Sequence, residues 1–276
     1  MHDFDPSYAN RTVVVTGGNG YLASALCASL KKTPARILVV SRRALAPGDG
    51  IESLTADIRT KDCWQAIVDR ADIVFHLAGN TSVYAAAKDA ADSLTSTVLP
   101  LVHLATAARE AGRQPRVVYA STATVYGLTE TLPVAEDRNL NPITTYDLHK
   151  VFAEQQLALA TSQGVVQGIS LRLANVYGPS RCASSAGDRG ILNRITRLAL
   201  QGTNLQLFGD GNYLRDYVYI DDVVRAFLVS GVQAGIAGRS FNVASGTGIP
   251  VRDAFQIVIE RAARATGKRS HLHAVP

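Results

Sequence analysis

A short β-branched run, RTVVVT at Arg11–Thr16, meets four residues, GGNG, and then a stretch of helix formers, YLASALCASLKK at Tyr21–Lys32. A buried strand that stops at glycines and restarts as a helix is a narrow choice for a chain. In Thr16-Gly17-Gly18-Asn19-Gly20-Tyr21-Leu22-Ala23, Gly17 permits the tight turn, and Gly20 lets a pyrophosphate approach the backbone. Ala23 is small enough for close packing of helix on strand. The helix N-terminus, at Tyr21 and Leu22, offers free N–H groups and a partial positive charge to phosphates. Strand, loop and helix in this order point to dinucleotide binding rather than a plain glycine turn.

Further apolar runs repeat the theme. Strands are predicted at Arg36–Ser41, Ile51–Ala56, Asp72–Ala78, Arg116–Thr122 and Gly168–Ala174. Helices are predicted at Lys61–Arg70, across an Ala-rich stretch from Tyr84 to Glu110, and at Thr144–Thr161. The first ten residues read as a loose tail, and Pro47-Gly48 marks a loop. This alternation implies parallel βαβ units and an α/β Rossmann-type doubly wound sheet. The pattern weakens after Gly178, where Pro179–Arg189 reads as a loop. The expected division is a dinucleotide-binding domain over 11–175 and a smaller, interleaved substrate lobe over 176–276.

The end of the second strand discriminates between dinucleotides. An acidic residue there would bind the ribose 2′-hydroxyl of NAD, but the chain carries Ser41-Arg42-Arg43. An arginine pairs with a 2′-phosphate, which favours NADP over NAD. Solvated arginines, or arginines stacked on adenine, remain open. Asp57, after the third strand, either accepts from the adenine amino group or caps the helix near Lys61.

Tyr146 and Lys150, in YDLHK, are one helical turn apart, with a rise of about 6 Å between them. An unperturbed tyrosine titrates near ~10, and a neighbouring ammonium lowers that value. The pair is a candidate general base and acid for a hydroxyl or carbonyl. Ser121-Thr122 ends the fifth strand, where a hydroxyl can reach the same oxygen.

Composition excludes several classes. Of the residues, 47% are hydrophobic and 18% charged, so the chain is not disordered. The net charge of +5 comes from scattered Lys and Arg, and no nucleic-acid partner is expected. Cys27, Cys63 and Cys182 form no CxxC and the six histidines no metal-ligand spacing, so no metal site is expected. His76 reads as buried and His149 as facing out. The N-terminus lacks the apolar core of a signal peptide, and no stretch reaches the roughly 18 apolar residues of a membrane span. With sparse cysteines, the expected location is the cytoplasm.

These residues together resemble the extended short-chain dehydrogenase/reductases, specifically the NAD-dependent epimerase/dehydratase family. The resemblance runs from about Arg11 to Pro276 through TGGNGYLA, ADI (56–58), HLAG (76–79), STATVYG (121–127), YDLHK (146–150), LRLANVYGP (171–179), FGDGNYLRDYVYIDDVV (208–224) and FNVASG (241–246). It implies that Thr122 binds the reacting oxygen, Tyr146 exchanges the proton, and Lys150 lowers the tyrosine pKa and bonds the nicotinamide ribose. It places Asp57, Ile58, Leu77 and Ala78 at the cofactor, and Asn175 and Arg215 at the diphosphate of a nucleotide-sugar. A guanidinium at 215 suits phosphate on physical grounds, with a structural pair to Asp216 or Asp221 as the alternative.

The departures narrow the activity. An asparagine common in the long helix is replaced by Thr97. Dehydratases of the family place acidic residues after the catalytic threonine, where this chain has Ala123 and Thr124, and a glutamate-dependent decarboxylase is disfavoured likewise. The chain stops at Pro276, which fits a truncated chain or an unusually short substrate lobe. The expected activity is NAD(P)-dependent 4-epimerisation of a nucleotide-diphospho-sugar through a 4-keto intermediate, by a homodimer. The alternatives are an NADPH-dependent 4-ketoreductase and a catalytically silent dinucleotide sensor.

Overall fold

The computed structural model describes residues 6–44, 50–180 and 190–275. The expected loops at Pro47-Gly48 and across 181–189, and the residues Cys182 and His2, lie outside them. In chain order the elements are β1 (Thr12–Thr16), α1 (Tyr21–Leu30), β2 (Arg36–Ser41), β3 (Ile51–Thr55), α2 (Lys61–Val68), β4 (Ile73–His76), α3 (Val83–Lys88), α4 (Ala90–Thr97), α5 (Leu99–Glu110), β5 (Arg116–Thr122), α6 (Thr145–Ser162), β6 (Gln167–Leu173), β7 (Asn175–Tyr177), α7 (Ile191–Gln201), β8 (Leu205–Phe208), β9 (Leu214–Tyr219), α8 (Ile220–Val232), β10 (Ser240–Val243), β11 (Gly248–Pro250), α9 (Val251–Thr266) and β12 (Leu272–Val275).

Seven strands form one sheet in the order β10-β6-β5-β4-β1-β2-β3, with every pairing parallel. Both faces are covered, so the strands read as continuous apolar runs. Their side chains still alternate. Val13, Val15, Ile37, Val39, Phe75 and Val118 join one core with α1 and α8, while Val14, Leu38, Val40, Val74, Val117 and Tyr119 join the other with α2, α5 and α6. The doubly wound sheet expected from the sequence is what the chain forms.

A smaller core of Ile195, Leu205, Leu207, Val251, Phe255 and Ile259 holds α7 against α9. Beside it lie a parallel β8–β12 pair and a three-stranded sheet in the order β11-β9-β7. The chain after residue 176 also returns to the main layer. β10 extends the large sheet beside β6, and α8 packs on α1.

Three local expectations change. The N-terminal tail is not loose at Tyr8, which is fully buried and donates its hydroxyl to the Leu228 carbonyl at 2.7 Å. The Ala-rich stretch is three helices rather than one. At Asp89 the backbone leaves helical geometry (φ −139°, ψ 89°), and its carboxylate accepts the Asp92 N–H as an N-cap. A second break falls at Val98, with Pro100 in the first turn of α5, where a missing N–H is harmless. His149 does not face out but is buried, with Nδ1 2.9 Å from the Ser93 hydroxyl, because α4 packs against α6.

Candidate active site

Thr16, the last residue of β1, organises the turn that follows. Its hydroxyl oxygen accepts the N–H groups of Leu77 and Ala78, each at 3.1 Å. Its proton is therefore free for His76 Nδ1, 2.8 Å away. His76 is fully buried, and burial holds its pKa down at about 3, so the ring is neutral. This draws the end of β4 against the glycine loop. Gly17 has φ +78°, and a Cβ there would lie 3.0 Å from the Ala78 backbone. Gly20 is needed for a reason inside the loop, since a Cβ would lie 2.8 Å from the Gly17 carbonyl oxygen, which accepts the Gly20 N–H. The start of α1 has no side-chain cap, which leaves its first N–H groups for a ligand.

A cleft of about 390 Å³ opens over this loop and brings together Gly17, Gly20, Ser41, Arg42, Asp57, Ile58, Leu77 and Ala78. Its uncapped helix end and close backbone approach fit the phosphates of a dinucleotide. Arg42 and Arg43 are exposed on its rim, and the Ser41 hydroxyl bonds the Arg43 carbonyl. Asp57 does not cap α2, whose N-cap is Thr60. Its carboxylate is instead paired with Arg59, with N–O distances down to 2.6 Å, and that guanidinium holds its pKa below the usual carboxylate value. Ile58 is buried, and its carbonyl accepts the Trp64 indole N–H at 2.7 Å.

Two residues expected at the cofactor turn their side chains elsewhere, and what they offer a phosphate is the backbone N–H at the start of α1. Tyr21 turns to a second cavity of about 940 Å³ among β7, α7, β9 and α9, and its hydroxyl donates to the Gly178 carbonyl at 2.9 Å. Leu22 packs against the core beneath the sheet.

At the C-terminal ends of β5 and α6's first turns, Thr122, Tyr146 and Lys150 come together. Lys150 Nζ donates to the Ala120 carbonyl at 2.8 Å and lies 5.8 Å from the Tyr146 ring centroid and 4.8 Å from that of Tyr119. Burial lowers its pKa to about 8. The expected lowering of the Tyr146 pKa is not what the chain produces. Burial and the adjacent Asp147 charge push it up to about 12, and the contact with the Thr122 hydroxyl offsets this only in part. The lysine cation is itself desolvated and set back from the ring, so desolvation of the phenolate prevails.

Several groups escaped the sequence reading. Glu154 and Arg172 form a buried ion pair at 2.8 Å, extended to Ser121, the Tyr126 hydroxyl (2.8 Å) and the Glu136 carbonyl (3.0 Å). Tyr126 in turn donates to Asn242 on β10 at 2.7 Å. Asp147 and Thr124 bond each other behind Thr122. The Thr144-x-x-Asp147 spacing is a capping-box signature and was visible in the sequence. Thr97, which replaces the asparagine, is buried and its hydroxyl has no hydrogen-bond partner.

Asn175 and Arg215 are placed differently from each other. Asn175 ties β7 to β9 through the Asp216 carbonyl at 3.0 Å. Arg215 is exposed, donates to the Leu214 carbonyl at 3.0 Å, and lies over the Tyr213 ring at 5.2 Å. The Asp216 carboxylate is taken up by the N–H groups of Ser245 and Gly246, both at 2.8 Å, so it is not the partner of Arg215. Among the described residues, no group of three or more His, Cys, Asp or Glu could hold a metal, and no helix is long and apolar enough to cross a membrane.

The sequence model of the NAD dependent epimerase/dehydratase family matches residues 13–244. A UDP-glucose 4-epimerase of Mycolicibacterium smegmatis is 34% identical over 206 residues, which is 74% of this chain and 65% of that protein. The chain thus spans just under two thirds of that relative. A putative UDP-glucose 4-epimerase of Methanocaldococcus jannaschii is 26% identical over 89% of this chain and 81% of its own. Among solved structures, the Thermotoga maritima UDP-glucose 4-epimerase with UDP-glucose superposes with a TM-score of 0.85 at 26% identity, covering 96% of this chain and 86% of the other. The Thermus thermophilus UDP-glucose 4-epimerase, in complex with NAD, gives 0.83 at 27% identity, covering 96% and 86%.

Proposed function

Because the chain belongs to the NAD-dependent epimerase/dehydratase family, we propose that it is a nucleotide-diphospho-sugar 4-epimerase. The observation that carries this reading is the convergence of Thr122, Tyr146 and Lys150 in a chain whose glycine loop opens on a cleft suited to phosphates, with no carboxylate at positions 123 and 124 to drive elimination. Asp147 is close, but its oxygens are occupied by three donors.

Gly17, the N–H groups opening α1, Leu77 and Ala78 would hold the dinucleotide, with Lys150 on the nicotinamide ribose. When bound, the dinucleotide would supply the hydride acceptor and donor for the sugar C4. Tyr146 takes the C4 hydroxyl proton as the C4–H bond breaks, and gives it back when the 4-keto sugar has turned over. Thr122 holds the reacting oxygen. The reaction consumes no net reductant. Mass spectrometry of small molecules released from the purified protein, with an assay for conversion of UDP-glucose to its C4 epimer, tests the reading. Inversion without net NAD(P)H consumption supports it. Stoichiometric NADPH oxidation with a 4-keto sugar supports instead the ketoreductase alternative, which the Arg42 rim favours.

The dinucleotide in the Thermus thermophilus structure is NAD. For this chain we propose that Arg42 also pairs with the 2′-phosphate of NADP, since Asp57 is already neutralised by Arg59. Arg42→Asp should weaken NADP roughly 10-fold more than NAD, the scale of one charged contact at an exposed site. Equal losses in a fluorescence titration would place Arg42 outside the cofactor contacts.

Arg215 is proposed as the diphosphate clamp, its guanidinium being exposed and unmatched by Asp216. Arg215→Ala should raise the KM for the nucleotide-sugar roughly 10- to 100-fold and leave dinucleotide binding unchanged. An unchanged KM would make the residue structural. Exposed apolar side chains Leu94, Val102, Leu148, Phe152 and Leu159 mark the outer faces of α4, α5 and α6, the proposed seat of a homodimer.

A further inference from the structure

The hydroxyl groups behind Thr122 form a chain whose direction is fixed at its far end. Asp147, buried in the first turn of α6, takes three donors. One carboxylate oxygen accepts the Thr144 N–H at 3.1 Å and the Thr144 hydroxyl at 2.7 Å, and the other accepts the Thr124 hydroxyl. A carboxylate only accepts, so the single proton of Thr124 is committed to Asp147. At its contact with Thr122, 2.9 Å between oxygens, Thr124 must therefore accept. Thr122 has then spent its own proton. Its oxygen also accepts the Thr124 N–H at 3.2 Å, which leaves one lone pair as its remaining hydrogen-bonding capacity beside Tyr146.

We propose that Thr124 and Asp147 are positioning residues that hold Thr122 as an acceptor-only group, so that the resting site selects a sugar alcohol over a 4-ketone at the reacting carbon. This rests on the nucleotide-sugar reading above and deepens it. An alcohol oxygen needs one donor and one acceptor. Thr122 offers only an acceptor, to which a sugar hydroxyl donates on binding before that proton turns to Tyr146 for the reaction. A ketone oxygen accepts twice and would face the Thr122 lone pair. The arrangement suits an enzyme whose ligands enter and leave as alcohols, and it works against one that must capture a free ketone.

Removing the lock should release the Thr122 proton toward the cleft. Thr124→Val keeps the shape and removes the hydroxyl, whereas Thr124→Ser keeps the hydroxyl. Asp147→Asn leaves a carbonyl oxygen for Thr144 and turns an amide donor toward Thr124, which reverses the whole chain. The measurement is the dissociation constant of UDP-4-keto-6-deoxyglucose by calorimetry on the protein as purified, with NAD present and UDP as the reference ligand. Ketone and NAD are both oxidised, so no turnover intervenes.

Relative to UDP, the ketone should bind about 3- to 10-fold tighter to Thr124→Val and to Asp147→Asn, the size of one net hydrogen bond. Thr124→Ser should stay at the parental ratio. A parental ratio in both Thr124→Val and Asp147→Asn, or a Thr124→Ser ratio equal to that of Thr124→Val, would overturn the proposal. Failure of UDP and of every sugar nucleotide to bind the parent would instead defeat the nucleotide-sugar reading on which it stands.

Discussion

Tyr146→Phe should cut turnover by roughly 10²–10⁴-fold, the usual size of a positioned acid–base group, while fold and dinucleotide binding stay close to parental. The substitution removes one oxygen from a side chain whose ring remains packed beside Lys150 and Thr122. Lys150→Met should act differently, because it removes the cation near the ring and the group proposed to bond the ribose. Dinucleotide content should fall with it. The tyrosine of this chain already sits at about 12 through burial and the Asp147 charge. Without the Lys150 ammonium the phenolate is less favoured still, so the rise of residual activity with pH should move to higher pH. A pH–rate profile of both variants beside the parent, with bound dinucleotide read by absorbance, checks both outcomes. Parental turnover in Tyr146→Phe would exclude Tyr146 as the proton-transfer group.

The largest loss of stability should come from Arg172→Met. The guanidinium donates to both oxygens of Glu154 at 2.8–3.2 Å, and both residues are buried. Removing it strands a carboxylate away from water, at a cost of about 3–5 kcal/mol. For a chain of this size that is a fall in Tm of roughly 5–9 °C. It should be read by calorimetry and denaturant titration. Replacing Glu154 and Arg172 together by apolar residues should recover most of the loss, because no charge is then left unpaired. The pair also fixes Ser121 and Tyr126 on either side of Thr122, so the single variant should raise the KM for the sugar as well. A single variant as stable as the parent would show that the network does not hold β5, β6 and α6 together.

Legibility in the sequence followed the range of the interaction. The β1–loop–α1 unit was readable because its signals are local: β-branched residues, glycines, then helix formers. The cleft over the glycine loop followed from it, because parallel strands end at the same edge and bring Gly17, Ser41, Asp57 and Leu77 together. What tertiary packing decides was not readable. Tyr8 looks like tail until α8 lies over it, and His149 looks exposed until α4 supplies Ser93. The return of β10 to the main sheet has no mark in its four residues. Arg172 and Glu154 look like surface charges, since only the pairing of β6 with β5 and α6 buries them. The rise of the Tyr146 pKa belongs with these, because spacing shows the neighbouring lysine and not the desolvation. Asp147 is the exception, for its capping-box spacing was in plain view and only its contact with Thr124 was hidden.

The central claim is that C4 is oxidised and reduced within one binding event. UDP-glucose carrying deuterium at C4, incubated with the purified protein and followed by NMR, tests it most directly. The account predicts equilibration with the C4 epimer, deuterium retained at C4 in both sugars, and no accumulation of reduced dinucleotide. Loss of the label to solvent, or inversion at another carbon with the C4 deuterium untouched, would contradict it.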